Sequence, residues 1–226
     1  MESSAYVIHN IKRVSGDLVA SIKEFSTATI CEAYGGKGAL PHTIKPIRTD
    51  MRLCGPVIPV TTPPGDNLIV HKAIYVAEPG DVLLVGTSSF LEAGFWGGIM
   101  TVAAKQRGIA GLVTDGSVRD TDEIAKMGFP IFCQGISIKG TTKNCLGTIN
   151  HPIAFGDVRV EPGDLIVGDS DGVVVVARED VPGVLEMARQ REEKEKRISA
   201  ELRQGKSTLE MYGFSEILER EGMREK

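Results

Sequence analysis

Apolar residues at Leu18, Val19, Ile22 and Phe25 recur at helical spacing, which predicts a helix over residues 17–25 with Asp17 as its cap or first-turn acid. A second, shorter helix is expected over 29–34, stopped by Gly35-Gly36. The pattern then turns strand-like over 52–60 and breaks at Pro63-Pro64-Gly65. Asp66 is placed to cap a helix over 67–77, whose Leu68, Ile69, Ala73 and Ile74 would face a core. A strand at 82–85 leads into the glycine-rich connection GTSSFLEAGFWGG, followed by a helix at 99–107 and a strand at 109–114. DGSVRD reads as the loop after that strand. Thr121 begins the next helix, because Asp122 and Glu123 meet unpaired N–H groups and the positive end of the helix dipole. Pro130 closes it, and 131–133 reads as another strand.

From 148 to 177 short strands alternate with turns and end in the apolar run at 173–176. EPGDVLLVG at 78–86 is echoed by EPGDLIVGD at 161–169, two similar strand entries to which no function is assigned. Beyond Asp180 the character changes. Pro182 suits a first helical turn, Val184, Leu185 and Ala188 form an apolar stripe, and the charged run RQREEKEKRISAELRQG continues the helix. The division expected is an α/β domain over 1–179, with N-terminal helices, and a helical extension over 180–226 that contacts a neighbouring subunit. Strands separated by helices, then clustered short strands, predict an α/β class with mixed sheets. A doubly wound dinucleotide fold is disfavoured, because the first βα turn lacks Gly-x-Gly-x-x-Gly.

Composition narrows the function classes. With 42% apolar and 25% charged residues over 226 positions, the chain is a folded globular protein. The net charge of -4 comes with no Lys/Arg stripe carrying interleaved aromatics, so nucleic acid is not an expected partner. No 18-residue apolar run and no basic-then-apolar leader are present, which makes the expectation cytoplasmic and free of the membrane. Cys31, Cys54, Cys133 and Cys145 form no Cys-x-x-Cys pair, and His9, His42 and His151 have no zinc-ligand spacing.

Chemistry concentrates around Asp115, Gly116, Arg119 and Asp120, at the end of the strand over 109–114. Open α/β sheets expose reactive groups at strand ends. Arg119 offers a planar fork of donors for a carboxylate or carbonyl oxygen, and Asp120 a hard oxygen for Mg²⁺ or Mn²⁺. The bland alternative is a turn at Asp115-Gly116 followed by a surface ion pair. Gly97-Gly98-Ile99-Met100 precede a helix, where backbone N–H groups can cradle a carboxylate. Phe95 and Trp96 can wall a pocket or fill the core. Asp66, Asn67 and His71 lie together at another helix start; they serve as a cap and turn, or order substrate or water.

The run GFWGGIMTVAAKQRGIAGLVTDGSVRDTDEI, with FPIFCQG and GDVRVEPGDLIVGDSDGVVVV, resembles the family of 4-hydroxy-4-methyl-2-oxoglutarate and 4-carboxy-4-hydroxy-2-oxoadipate aldolases, which also contains the regulator-of-ribonuclease-activity proteins. The likeness extends over about residues 25–215. GDNLIVH at 65–71 and the long C-terminal helix are closer to the aldolase branch. The resemblance implies a swivelling three-layer β/β/α fold, Arg119 as substrate-binding and catalytic residue, Asp120 as metal ligand, and Gly97, Gly98, Ile99 and Met100 as backbone donors to substrate. It implies trimers or hexamers in which a glutamate of the C-terminal helix, Glu195 or else Glu192, orders water in a neighbouring site. Many members carry an acid where this chain has Gly98. The function implied is a divalent-metal-dependent pyruvate aldolase acting on small 2-oxo di- or tricarboxylic acids. Oxaloacetate decarboxylation and noncatalytic regulation of a ribonuclease are the alternatives.

Overall fold

The computed structural model describes residues 6–224. After the helices α1 (Gly16–Ile22) and α2 (Thr27–Ala33) come β1 (Lys45–Pro46) and β2 (Leu53–Thr61), then α3 (Leu68–Val76) and β3 (Val82–Gly86). The middle of the chain runs β4 (Gly94–Trp96), α4 (Gly98–Gln106), β5 (Gly111–Thr114), β6 (Ser117–Val118), α5 (Thr121–Met127), β7 (Ile131–Cys133) and β8 (Gly135–Ile136). Five more strands follow: β9 (Thr148–Ile149), β10 (Ile153–Phe155), β11 (Val158–Val160), β12 (Leu165–Gly168) and β13 (Val173–Val176). The chain then enters α6 (Val181–Arg203), α7 (Thr208–Tyr212) and α8 (Phe214–Arg220).

The main sheet has the order β1-β7-β5-β3-β2-β12-β13, and β9 adds to β2. Its central strands β2, β3, β5 and β7 are parallel, while β1, β9 and β12 pair antiparallel. Two prolines in the central strand β2 would ordinarily argue against it, since proline cannot donate to a ladder. The strand changes partners along its length. Residues 53–56 pair with β12 and 57–61 with β3. The Val57 N–H points to the β12 side, so Pro56, one residue earlier, presents its missing donor to the opposite edge before β3 begins. Pro59 faces the β12 side after β12 has ended, and there its carbonyl accepts from Asn150. This exchange of neighbours curls the sheet rather than extending it flat.

A second, three-stranded parallel sheet, β4-β6-β8, has β4 and β6 within segments read from sequence as loops and β8 in a segment given no element. Its strands are only two or three residues long, too short to show a period of two. Each follows a strand of the main sheet: β3 leads to β4, β5 to β6 and β7 to β8. The small sheet therefore sits at the C-terminal ends of the parallel strands. The architecture is an α/β domain with N-terminal helices, a curled sheet and a long C-terminal helix, and the β10-β11 hairpin packs Ile153, Phe155 and Val160 against Val57, Val82 and Leu84 of the main sheet.

Both copies of Glu-Pro-Gly-Asp are turns of one kind. Gly80 and Gly163 have positive φ, 91° and 83°, the glycine position that follows proline in a type II turn. Asp81 and Asp164 donate their N–H to the carbonyl of Glu78 and Glu161, and their carboxylates accept the N–H of those same glutamates. The echo is turn chemistry.

Helix starts differ from the sequence reading by one or two residues. Ser26, not a residue nearer Thr29, caps α2 through its hydroxyl. Ser15 stands at the start of α1, which puts Asp17 in the first turn. Asn67 is the flanking residue of α3, but the Asp66 carboxylate accepts the Leu68 N–H at 2.9 Å and does the capping. α1, α2 and the first turns of α6 bury Ile22, Ile30, Val184, Leu185 and Ala188 against β12 and β13. Beyond Ala188 no residue of α6 is buried, and Leu209, Tyr212, Phe214 and Ile217 of α7 and α8 are exposed. Among the described residues, no helix is long and apolar enough to cross a membrane.

Asp169 fastens α2 to the sheet: it accepts from the Thr27 N–H at 2.9 Å, the Thr27 hydroxyl at 2.5 Å and the Asp171 N–H at 3.0 Å. Burial pushes this carboxyl up, but those bonds and the charge of Arg52 outweigh it, and the group lies below the ordinary carboxylate range. Its stabilisation is thus complete above the unfolded-state value of ~3.9 and is lost as pH falls through the lower folded value. Asp169→Asn is expected to lower unfolding free energy by about 2 kcal/mol, the scale of hydrogen bonds to a charged acceptor. It should also shallow the acid limb of stability against pH, checked by denaturant unfolding at a series of pH values.

Candidate active site

Two chain segments meet where the small sheet ends. β4 runs into Gly97 and α4, β6 runs into Arg119 and α5, and the parallel pairing of Gly94 with Ser117 and Trp96 with Val118 sets them side by side. The Arg119 N–H donates to the Trp96 carbonyl at 2.9 Å, and the Gly98 N–H donates to Asp120 Oδ2 at 3.0 Å.

Asp120 has φ 58° and ψ 33°, a left-handed conformation that non-glycine residues adopt at a cost of order 1–3 kcal/mol. It precedes α5, yet its carboxylate makes no capping bond and reaches instead across to α4. Arg119 Nε lies 3.8 Å from Asp120 Oδ2, and both side chains are nearly half exposed. That separation is beyond a hydrogen bond, so the guanidinium fork is not consumed by its neighbour. The Asp120 carboxylate instead accepts a hydrogen bond from the Gly98 amide.

The two glycines answer to side chains. A Cβ on Gly97 would lie 2.6 Å from Asp120 Oδ2, and one on Gly98 would lie 2.7 Å from Glu123 Oε2. The Glu123 carboxylate therefore stands in the space that a side chain at position 98 would enter. Sequence reading used Glu123 only as a first-turn acid; its place one helical turn after Asp120 was the available signal. The Gly98 N–H, offered as a donor to substrate, is bonded to Asp120. The next two amides of the first turn, on Ile99 and Met100, remain at the wall of the cavity.

That cavity, about 360 Å³, is lined by Gly97, Gly98, Ile99, Met100, Arg119 and Asp120. Asn67, His71, Phe95, Gly140, Thr141 and Lys143 also line it, and Gly140 lies beside the Arg119 guanidinium. Trp96 belongs to the core instead, fully buried, stacked on Phe129 and donating to the Thr101 hydroxyl. Asn67 is buried; its Nδ2 donates to the Phe95 carbonyl at 2.7 Å, while its Oδ1 has no partner among the described residues. Burial and then the charge of Lys143 hold the His71 imidazole below its usual range, so it is neutral near pH 7. Lys143, Thr141 and Gly140 were missed in the sequence, because their segment carries no periodicity or motif.

Four other candidates lie apart from the cavity or serve its frame. The Asp115 carboxylate accepts from the Thr87 N–H at 2.6 Å, the Thr87 hydroxyl at 3.0 Å and the Ser89 N–H at 2.7 Å, binding the loop before β4. Asp66 is buried and does not line the cavity. Glu195 pairs with Arg191 at 2.9 Å, Arg191 also meets Glu32, and Glu192 pairs with Lys196 at 2.9 Å. Neither glutamate lines the cavity of its own chain.

Among the described residues, no group of three or more His, Cys, Asp or Glu side chains converges as a metal cage. The donors present, Asp120 with Glu123 nearby, fit a hard cation that keeps several waters, the habit of Mg²⁺. They do not fit a closed zinc site, which needs four protein ligands.

Comparison with known proteins gives a consistent picture. Residues 27–175 match the model of the RraA-like family, described as Aldolase/RraA. A putative 4-hydroxy-4-methyl-2-oxoglutarate aldolase of Halalkalibacterium halodurans is 39% identical over 176 residues, 78% of this chain and 84% of that protein. An uncharacterized protein from Pseudomonas syringae pv. tomato superposes with TM-score 0.81 at 28% identity, covering 94% of this chain and 100% of that one. Streptomyces coelicolor RraAS2, titled an unusual member of the RNase ES inhibitor RraA protein family, superposes with TM-score 0.75 at 27% identity, covering 84% and 100%. The chain belongs to the RraA-like aldolase family.

Proposed function

We propose that this protein is a divalent-metal-dependent carbon–carbon lyase. In this reading it cleaves 4-hydroxy-4-methyl-2-oxoglutarate, 4-carboxy-4-hydroxy-2-oxoadipate or a similar 2-oxo acid to pyruvate and a second oxo acid. The observation that carries the reading is Asp120, held left-handed against the Gly98 amide beside an uncommitted Arg119 at the cavity wall.

Asp120 would hold Mg²⁺ or Mn²⁺, with Glu123 as a second acid beside Gly98. When bound, such an ion supplies a Lewis acid that makes a 2-oxo group an electron sink. The amides of Ile99 and Met100 are suited to orient the substrate carboxylate. Neutral His71, which lines the cavity, orders the C4 hydroxyl or receives its proton as the C3–C4 bond breaks. Arg119 neutralises the negative charge that develops on the enolate oxygen. Lys143, also lining the cavity, is a cation for a second carboxylate. The same electron sink serves decarboxylation of oxaloacetate, in which CO₂ leaves in place of an oxo acid. The likeness to the RNase ES inhibitor family supports a second reading, binding to a ribonuclease. Capture of a ribonuclease without metal-dependent turnover would favour it.

Residues 1–179 are assigned the catalytic unit and 180–226 the extension that meets a neighbouring subunit, in a trimer or hexamer. The support is an exposed apolar set on α7 and α8 at the end of a helix that buries nothing beyond Ala188. In that assembly Glu195 would serve the neighbour's site.

Chelation is expected to abolish pyruvate release from 4-hydroxy-2-oxo acids, and Mg²⁺ or Mn²⁺ to restore it. Full turnover after exhaustive metal removal would sink the proposal. Asp120→Asn should eliminate metal-dependent turnover, and Arg119→Lys should lower kcat by about 10²-fold, the scale of losing an oriented transition-state donor. A surface pair would change stability by only ~0–1 kcal/mol and leave kcat alone. Light scattering should give a mass at least three times that of the 24.3 kDa chain. A fully active monomer would reject the role given to Glu195.

A further inference from the structure

The segment 140–145 lines the cavity with Gly140, Thr141 and Lys143, yet it packs no side chain into a core. Thr142, Lys143, Asn144, Cys145 and Leu146 are all exposed. Its ends are fixed. The Lys139 carbonyl accepts the Gly94 N–H, and Gly147 lies so close to Thr61 that a Cβ there would be 1.8 Å from the Thr61 carbonyl oxygen. Between those ends, one buried carboxylate gathers the donors. Asp66 Oδ2 accepts from the Thr142 hydroxyl at 2.7 Å, the Asn144 N–H at 2.7 Å and the Cys145 N–H at 3.3 Å. Oδ1 accepts from Leu68 at the start of α3, and a short backbone pairing joins Thr142 to Gly65 and Asn67.

We propose that Asp66 is a positioning residue that latches the segment 140–145 at the cavity, setting Thr141 and Lys143 against the distal part of the substrate. The carboxylate is 2% exposed and lines no part of the cavity, so it acts through the backbone it holds. A segment without buried apolar contacts opens locally at low free energy unless its N–H groups are tied. Here two consecutive-turn amides and one hydroxyl depend on a single side chain. The same aspartate caps α3, which carries His71, so one group ties two lining segments of the cavity to each other. Identifying the cavity as a 2-oxo-acid site rests on the function proposed above; the latch itself does not.

Asp66→Asn keeps the shape but cannot keep the bonds. Whichever way the amide turns, its NH₂ faces either the Leu68 N–H or the three donors of 142–145. The peptide bond after Lys143 reports the latch directly, because its own N–H is the Asn144 donor and trypsin needs it released. Tryptic cleavage after Lys143 in the folded full-length protein is expected to rise by about tenfold or more in Asp66→Asn, in the regime where cleavage follows the open population. Thr142→Val, which removes one of the three donors, should give a smaller rise and guards against a variant that fails to fold. With a 2-oxo dicarboxylate such as oxaloacetate, the KM of Asp66→Asn should rise about tenfold with kcat within about threefold, the pattern of lost binding common to ground and transition states. Calorimetric Mn²⁺ affinity should stay within about twofold, since none of the hydrogen bonds of Asp66 goes to Asp120 or Glu123. Unchanged cleavage in the folded variants would overturn the latch, and a fall in kcat with KM unaltered would overturn its positioning role. A wild-type protein that turns over no 2-oxo acid would refute the proposed function while the cleavage comparison still decides the latch.

Discussion

The geometry of the site depends on one contact, the carboxylate of Asp120 against the amide of Gly98. It requires a left-handed aspartate at the end of one strand and two consecutive residues without side chains at the end of its neighbour. Any Cβ at Gly97 would displace the Asp120 oxygen, and any at Gly98 would displace Glu123. The parallel pairing of β4 with β6 supplies the register, and the main sheet supplies the pairing, because each short strand continues from a long one. Strain at Asp120 is tolerated because the strand before it and the helix after it both fix its backbone.

The acids near the cavity divide by how completely the protein satisfies them. Asp66 and Asp115 accept four and three hydrogen bonds, and Asp66 is buried besides. A carboxylate saturated by N–H and O–H donors has little left to offer a cation or a proton. Asp120 and Glu123 are exposed and lightly bonded, so their lone pairs remain open to a ligand. The same contrast separates the basic groups. Arg13 is committed to Asp81 through two bonds of 2.9 Å, whereas Arg119 meets its acid only at 3.8 Å.

A scaffold that includes proteins titled as aldolases and as ribonuclease inhibitors does not choose between them. The lyase reading proposed above rests on the cavity, where His71, Arg119 and Lys143 are among the lining residues. The outer surface of α6 carries mainly local ion pairs of the i,i+4 kind, which suits solubility as well as contact with a partner.

Periodicity alone determined the longer elements. Helices α3, α4, α5 and α6 and strands β2, β3, β5, β7 and β13 were legible because their apolar positions repeat over four or more residues, or lie between clear breakers such as Pro130. The Arg119–Asp120 motif and Gly97-Gly98 were legible by residue type and by family resemblance. The small sheet β4-β6-β8 was not, since strands of two or three residues carry no period and are held by partners distant in sequence. For the same reason Lys143 and Thr141 went unseen: their segment is placed by a carboxylate some seventy-five residues earlier, at Asp66. Sequence also could not tell Asp66 and Asp115, which hold loops, from Asp120, which is open. Only the count of donors converging on each carboxylate separates them, and that count is a property of the folded chain.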